Sequence, residues 1–440
     1  MMNYSEALKI ICETGSKRVL APVRRSVMDS VGFVLSQDCM GNEAVPAFDN
    51  SAMDGFALHA QWTQSASSIR PQRFQVAQCI TAGDAIQLVE SGTTSAVQIM
   101  TGAPLPGSGS ESLYNSVIKV EEVKVLREIQ GRALEIEISR PLKRGENVRK
   151  CGEDFMPGQK VASRGTVLLP EHVMAMASLG ISEVQVYSKP RVGIISTGRE
   201  LVDYKEPGLK PGMIRNSSGP YLASIAPLFG CEAEFLGTIL DDPVEFESLV
   251  MKNLSRFDIL ITTGAVSMGI HDFVGESLHR VGAKNHFHKV AIRPGKPVLF
   301  AEFNDGPVVF GAPGNPISTS VCWRFFVVPY LRAISKRSPE SPFFGKLSKS
   351  VSKPEDLRCF FKAKVDFSKE KIEVECLKGQ ASFMVSPLLA SNAWAVLSEG
   401  TAEVQAGSNL ELYPLYPKDD FTRENIQTDS TTKLHAECCS

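Results

Sequence analysis

Apolar positions change period along the chain, and those changes divide it. Residues 5–14 (SEALKIICET) place apolar side chains at helical spacing behind a capping Ser5, predicting a first helix. Residues 20–45 lead into a proline-punctuated loop, VPAFDNSAMDGFAL, which reads as two strands joined by irregular backbone. From 60 to 150 short β-like runs are broken by Gly, Pro and Ser, the pattern of a small β domain. Residues 170–180 (PEHVMAMASLG) form a helix ending on Gly180 and return the chain toward the first helix, so the β segment reads as an insertion into an elongated first domain.

The character changes at 190. RVGIISTG, EAEFLGTIL and FDILITTG are short, near-continuous apolar runs, as strands buried on both faces require. Helical stretches lie between them at 219–230 and at 243–255, the latter behind an Asp242–Pro243 start with N-cap and N1 chemistry. HKVAIR, VLFAEF and PVVFGA add strands, and a helix over 316–334 completes an alternating βαβ order. This predicts a doubly wound sheet with ligands at the carboxyl ends of its strands. Residues 342–416 alternate at period two, as a terminal β-barrel does, and 417–440 read as a polar, disordered tail. The expectation is a multidomain α/β chain: an elongated helical/β domain (1–45 and 141–189), an inserted small β domain (46–140), an α/β domain (190–336), a C-terminal β-barrel (342–416) and the tail.

Composition narrows the function classes. With 47 basic and 49 acidic residues no global field draws the chain onto nucleic acid, although a local anion site is compatible with that balance. The ten cysteines contain no C-x-x-C pair, which argues against a zinc ribbon and against a disulfide framework. No apolar run reaches the ~18 residues of a membrane helix, so a soluble protein in a reducing, cytoplasmic setting is expected.

Candidate chemistry gathers at strand ends. Ser196-Thr197-Gly198 precedes Glu200; TTGAVSMG closes the run from 257; GAPGNP (311–316) opens the last helix. Each glycine-rich strand-to-helix turn taken alone is compatible with packing, but three on one carboxyl edge suit a phosphate-bearing ligand. Asp241, Asp242, Asp272 and Glu200 punctuate the same edges. Asp242 has an N-cap explanation; Asp241 is harder to explain so, and hard oxygen ligands of this kind suit Mg²⁺ offsetting phosphate charge. Arg293-Pro-Gly-Lys296-Pro carries two cations fit for an oxyanion, with a solvated turn as the plain alternative. Asp49-Asn-Ser-Ala-Met-Asp54-Gly55 and Arg149-Lys-Cys-Gly-Glu-Asp154 are further polar clusters, and a simple Asx-turn accounts for only one of the two acids in the first.

AFDNSAMDGFAL, IMTGAPLP, GENVRKCGED, ASLGI, STGREL, ILDDP, TTGAVSMG, HKVAIRPGKP and GAPGNPIS together resemble the successive blocks of the MoeA proteins and the gephyrin E domain, in family order over roughly residues 5 to 415. The resemblance implies a MogA-like α/β domain and a four-domain homodimer with clefts shared between subunits. It also implies a molybdopterin molybdenumtransferase, which takes adenylylated molybdopterin and molybdate, cleaves the pyrophosphate bond and releases AMP. By motif, the acids carried over are Asp54, Asp154, Glu200, Asp241 and Asp272, with Glu200, Asp241 and Asp272 toward Mg²⁺. The pterin side takes Thr101, Arg149, Ser196, Thr197, Gly264, Ser267, Gly269, Pro313, Gly314 and Asn315, and molybdate takes Arg293, Lys296 and Ser382. The sequence reads as containing one doubly wound unit, so adenylylation is expected from another protein, a MogA-type adenylyltransferase being the implied partner. The sequence departs from the family pattern at Ala265, Ile270, His271, Arg199, the segment Arg215–Ser218, a longer loop after PLP, and Lys362, where an arginine is usual and bidentate oxyanion geometry is lost. A catalytically weakened pterin-binding scaffold is the alternative that these departures raise.

Overall fold

The computed structural model describes residues 1–85, 94–107, 113–265, 273–368 and 372–417. It divides into two compact units, one of Met1–Val23 with Tyr187–Ser440, the other of Arg24–Val186. Ser267, Gly269, Ile270, His271, Asp272 and the tail from 418 lie outside the described residues.

The first unit is built on a six-stranded sheet. Its order is Glu232–Ile239, Arg191–Thr197, Ile259–Thr263, Val308–Ala312, Leu299–Glu302, Lys284–His288. The first four strands are parallel and the last two pairings antiparallel. Both faces are covered: Ile194, Ile261 and Phe310 are buried, and so are their neighbours Ile195, Leu260 and Val309. Such burial is why these strands lack alternation in sequence. Helices Pro243–Asn253 and Val274–Arg280 close one face, their Phe246, Val250, Val274 and Leu278 joining the cluster around Ile195 and Leu260. Asp242 is the N-cap the sequence predicts, its side chain accepting from the Val244 and Glu245 amides.

Three local expectations shift. The first helix, Tyr4–Lys17, is capped by Asn3 rather than Ser5, in a capping box with Glu6. It packs along helix Val328–Ile334, close enough that a Cβ on Gly15 would lie 2.9 Å from the Ala333 Cβ. The predicted helix over 316–334 is real but contains a π turn, Trp323–Val327. Pro329 has no N–H for the Phe325 carbonyl and its ring would crowd that group, so a wider turn before it relieves the conflict. HKVAIR does not form one sheet strand. His288 ends the edge strand, while Ile292–Arg293 pairs in parallel with Arg358–Cys359 of the terminal barrel. Pro294 and Pro297 lack the donors a central ladder requires, and the Val290 amide closes a turn onto the Lys296 carbonyl.

The terminal barrel is closed. Arg358–Asp366 pairs with both Glu373–Cys376 and Ala393–Leu397; Phe343–Leu347 and Asn409–Pro414 complete the ring. Its interior includes Cys359, Ala363, Val374, Ala395 and Leu412.

The second unit centres on another six-stranded sheet, ordered Ser116–Lys119, Gly55–Leu58, Ser95–Ile99, Gln72–Ile80, Arg132–Ile138, Val123–Ile129. Alternate residues feed two clusters: Phe56 and Leu58 one, Ala57 the other. Helix Pro170–Ser178 starts with Pro at its first position, and the following turn ends at Gly180, φ +67°. No helix among the described residues is long and apolar enough to cross a membrane.

Candidate functional site

Parallel pairing levels the carboxyl ends of four strands of the first unit. Thr197 pairs with Ile239, Ser196 with Thr263, and Thr263 with Ala312. The residues that follow are therefore neighbours along one edge: Asp241, then Gly198 to Glu200, then Gly264 and Ala265, then Pro313 to Asn315. No two of these segments are close in sequence, and parallel topology alone puts them together.

At this edge Glu200 is exposed and Asp241 half-buried. The Arg199 amide donates to Asp241 Oδ2 over a long 3.4 Å, which links the two acid-bearing loops. Ser196 and Thr197 are buried, and their hydroxyls are committed between strands: Thr263 Oγ1 donates to Ser196 Oγ at 2.9 Å, and Thr197 Oγ1 to the Thr263 carbonyl at 3.3 Å. They serve the edge by fixing its strand ends. Gly264 has φ +92°, and a Cβ there would sit 2.3 Å from the Thr197 carbonyl oxygen, so glycine is required. Ala265 follows at φ +50°, in the left-handed well that alanine occupies at a cost of roughly 1–2 kcal/mol. The Pro313–Asn315 loop is braced from below, Thr319 Oγ1 donating to the Pro313 carbonyl and Ser218 Oγ to that of Gly314.

Arg293 and Lys296 are exposed on the turn that joins sheet to barrel, and the Arg293–Pro294 bond is cis. A Cβ on Gly295 would lie 3.6 Å from the Ser318 carbonyl, so this turn rests on the first turn of the Pro316 helix. Ser382 arrives at the same place from the barrel, its carbonyl accepting from the Ile317 amide at 3.0 Å. Arg293, Lys296, Ser382 and Pro313–Asn315 thus surround one helix start. Lys362 does not join them as an exposed cation. It is fully buried, and Nζ donates to the carbonyls of Gly379 (2.7 Å), Met384 (2.9 Å) and Ala381 (3.4 Å). Burial pushes its pKa down.

The second unit gathers the remaining candidates. Asp54 accepts from both the amide (2.6 Å) and the hydroxyl (2.8 Å) of Thr101, and these bonds hold its pKa below the usual carboxylate range. Asp49 accepts from Lys150 Nζ at 2.7 Å and the Cys151 amide at 2.8 Å. Partial burial alone would raise its pKa; the Lys150 ammonium and the Cys151 amide outweigh it, and the net direction is down. Arg149 pairs with Asn50 in a two-residue ladder, and the Asp154 amide donates to the Val45 carbonyl. The two polar clusters picked out in the sequence, 49–55 and 149–154, are therefore one structure, with Asp54, Thr101, Arg149 and Asp154 upon it. Both acids of the first cluster owe their placement to partners far along the chain.

For Mg²⁺ the described residues offer Glu200 and Asp241 on adjacent loops; no group of three or more potential ligands occurs among the described residues. Two carboxylates with substrate phosphates and water form an ordinary Mg²⁺ environment, so the donor set fits the ion. Sequence reasoning missed the bracing residues Thr319 and Gln380, which carry no spacing signal because Thr319 acts on the Pro313 carbonyl and Gln380 on the amide and carbonyl of Lys362, groups brought to them by folding.

Comparison with known proteins gives a consistent result. Residues 2–180 match the family model for the MoeA N-terminal region (domain I and II), 193–333 the probable molybdopterin binding domain, and 345–415 the MoeA C-terminal region (domain IV). A molybdopterin molybdenumtransferase of Synechococcus elongatus is 37% identical over 94% of this chain and 100% of its own length. One of Bacillus subtilis is 34% identical over 87% of each chain. Among solved structures, a molybdopterin biosynthesis moeA protein of Pyrococcus horikoshii superposes with TM-score 0.78 at 28% identity, over 94% of this chain and 99% of its own. Three family models in family order, with relatives above 30% identity spanning nearly the whole chain, show that this protein belongs to the MoeA family.

Proposed function

We propose that this protein transfers molybdenum to molybdopterin, taking adenylylated molybdopterin and molybdate and releasing AMP. The observation that carries the reading is the sheet edge that bears the carboxylates of Glu200 and Asp241 and two glycine-bearing turns, with the two-cation Arg293–Lys296 turn resting on the helix that starts from it. Few substrates need all three. A phosphorylated pterin uses main-chain N–H groups, while an incoming tetrahedral oxyanion uses fixed cations.

In this reading the Gly264 turn with the segment after it, including Ser267 and Gly269, and the Pro313–Asn315 loop receive the pterin phosphate. Arg293 and Lys296 bind molybdate, with Ser382 beside them. Glu200, Asp241 and Asp272 are the groups that would hold Mg²⁺, which when bound offsets phosphate charge during P–O–P cleavage. Cleavage takes up one water and yields AMP and the pterin monophosphate; the two Mo–S bonds form as one Mo–O bond breaks, the displaced oxygen leaving as water with the two dithiol protons. Asp54 remains a carboxylate over the working pH range because Thr101 stabilises its charged form. We further propose a homodimer, in which Asp54, Thr101, Arg149 and Asp154 of one copy complete the site on the first unit of the other. A MogA-type adenylyltransferase supplies the activated pterin. The binding-only alternative is not favoured, since the curated relatives are named as transferases.

The test is direct: protein, adenylylated molybdopterin and molybdate are mixed and AMP is measured. Molybdate-dependent AMP release is expected, and Asp241→Asn and Asp272→Asn should each lower its rate on the order of a hundredfold. No AMP release by the wild-type protein overturns the proposal.

A further inference from the structure

An ammonium has three protons to give. Those of Lys362 go to three main-chain carbonyls of one turn, Gly379, Ala381 and Met384, from a position in the barrel wall with no solvent exposure. Nothing is left over for an anion. The same turn is bracketed again by Gln380, whose Oε1 accepts from the Lys362 amide and whose Nε2 donates to the carbonyls of Lys362 and Leu377. The Leu377 amide donates to the Lys362 carbonyl as well. Residue 362 and the turn 377–384 therefore move as one body.

That body has one outward connection of functional interest. Ser382, in the middle of the turn, accepts from the Ile317 amide, in the first turn of the helix on which the Arg293–Lys296 turn also rests. We propose that Lys362 is a positioning residue for the oxyanion site: its buried ammonium shapes the Gly379–Met384 turn so that Ser382 docks on the Pro316 helix start beside Arg293 and Lys296. This rests on the transferase reading, with molybdate as the oxyanion. Main-chain carbonyls turned inward toward one point repel each other without a cation between them, so the turn's shape depends on that charge. The lowered pKa of Lys362 has its cause in the same burial.

Lys362→Met keeps the length of the side chain and removes the donors. Hydrogen exchange is expected to quicken in peptides containing Ile317 while strands Arg191–Thr197 and Ile259–Thr263 keep their protection. In AMP-release kinetics the KM for molybdate should rise about tenfold or more, with kcat at saturating molybdate within about threefold of wild type. Unchanged exchange at Ile317, or a fall in kcat with the molybdate KM unmoved, overturns the proposal. A second measurement needs no variant: wild-type protein is acylated with an amine-reactive ester, with and without molybdate, and each lysine is read by mass spectrometry. Lys296 should be labelled and protected by molybdate, and Lys362 should stay unlabelled in both conditions; labelling of Lys362 that molybdate blocks makes it a ligand and sinks the idea. Wild-type protein that releases no AMP refutes the transferase reading, whereas exchange and labelling still decide what Lys362 does.

Discussion

Gly264 and Ala265 are adjacent and both have positive φ, yet the structure predicts a large loss of stability for Gly264→Ala and almost none for Ala265→Gly. At 264 an alanine Cβ would fall 2.3 Å from the Thr197 carbonyl oxygen and 3.0 Å from Thr197 Oγ1. Neither atom yields alone, since the carbonyl belongs to a central strand and the hydroxyl is bonded to the Thr263 carbonyl. The backbone, at φ +92°, also lies beyond the left-handed well that side-chain-bearing residues use. Strain of about 1–3 kcal/mol and overpacking of about 1–3 kcal/mol together put Gly264→Ala near 3 kcal/mol of destabilisation. At 265 the φ of +50° sits inside that well. Ala265→Gly relieves roughly 1–2 kcal/mol of strain, but the freer unfolded chain takes back about 0.4–1 kcal/mol. The lost methyl, packed against the Phe273 and Val274 cluster, removes most of the remainder. Stability should change by less than about 1 kcal/mol. The strain is present with and without ligand, so it cancels in binding, and pterin affinity should change less than about tenfold, one decade being 1.4 kcal/mol. Denaturant unfolding and a fluorescence titration of molybdopterin at fixed salt measure both variants. A Gly264→Ala protein as stable as wild type, or an Ala265→Gly protein binding pterin far more than tenfold tighter, refutes the reasoning.

Three more outcomes follow from the same geometry. Thr101→Val removes the hydroxyl donor to Asp54; its depressed pKa then rises toward the usual range, so the acid limb of the kcat/KM profile should move to higher pH, and an unmoved limb separates Asp54 from catalysis. Asp49→Asn breaks the Lys150 pair, whose partners are 24% and 55% exposed, and should cost only about 1 kcal/mol by thermal unfolding at neutral pH. Because the Asp49 pKa is lowered on folding, that contribution exists above the ordinary carboxylate range and vanishes as pH falls through the folded value, so wild type and variant should converge in acid. Finally, inactive Asp54→Asn and Asp241→Asn proteins, unfolded and refolded together, should recover roughly a quarter of wild-type activity through mixed dimers with one intact site; no recovery excludes a site shared between copies.

The sequence by itself determined what depends on local order. Continuous apolar runs announced the buried parallel strands, Asp242–Pro243 the start of its helix, period-two alternation the terminal barrel, and the run of motifs the family. The edge itself was also legible, because parallel strands must present their carboxyl ends together. Tertiary structure decided which polar groups remain available to a ligand. Ser196 and Thr197 look like free hydroxyls in sequence yet are consumed between strands. Lys362 stands on the face of its strand opposite the barrel interior that takes Cys359 and Ala363, yet it is buried there, because the Gly379–Met384 turn folds over it and brings three carbonyls from seventeen to twenty-two residues away. The split of HKVAIR, with Arg293 handed to the barrel, and the packing of the first helix on Val328–Ile334 are of the same kind. Period and composition report whether a side chain is apolar. A hydrogen-bond partner fixed by long-range closure leaves no trace in the spacing of the residues that meet, and so only the folded chain reveals it.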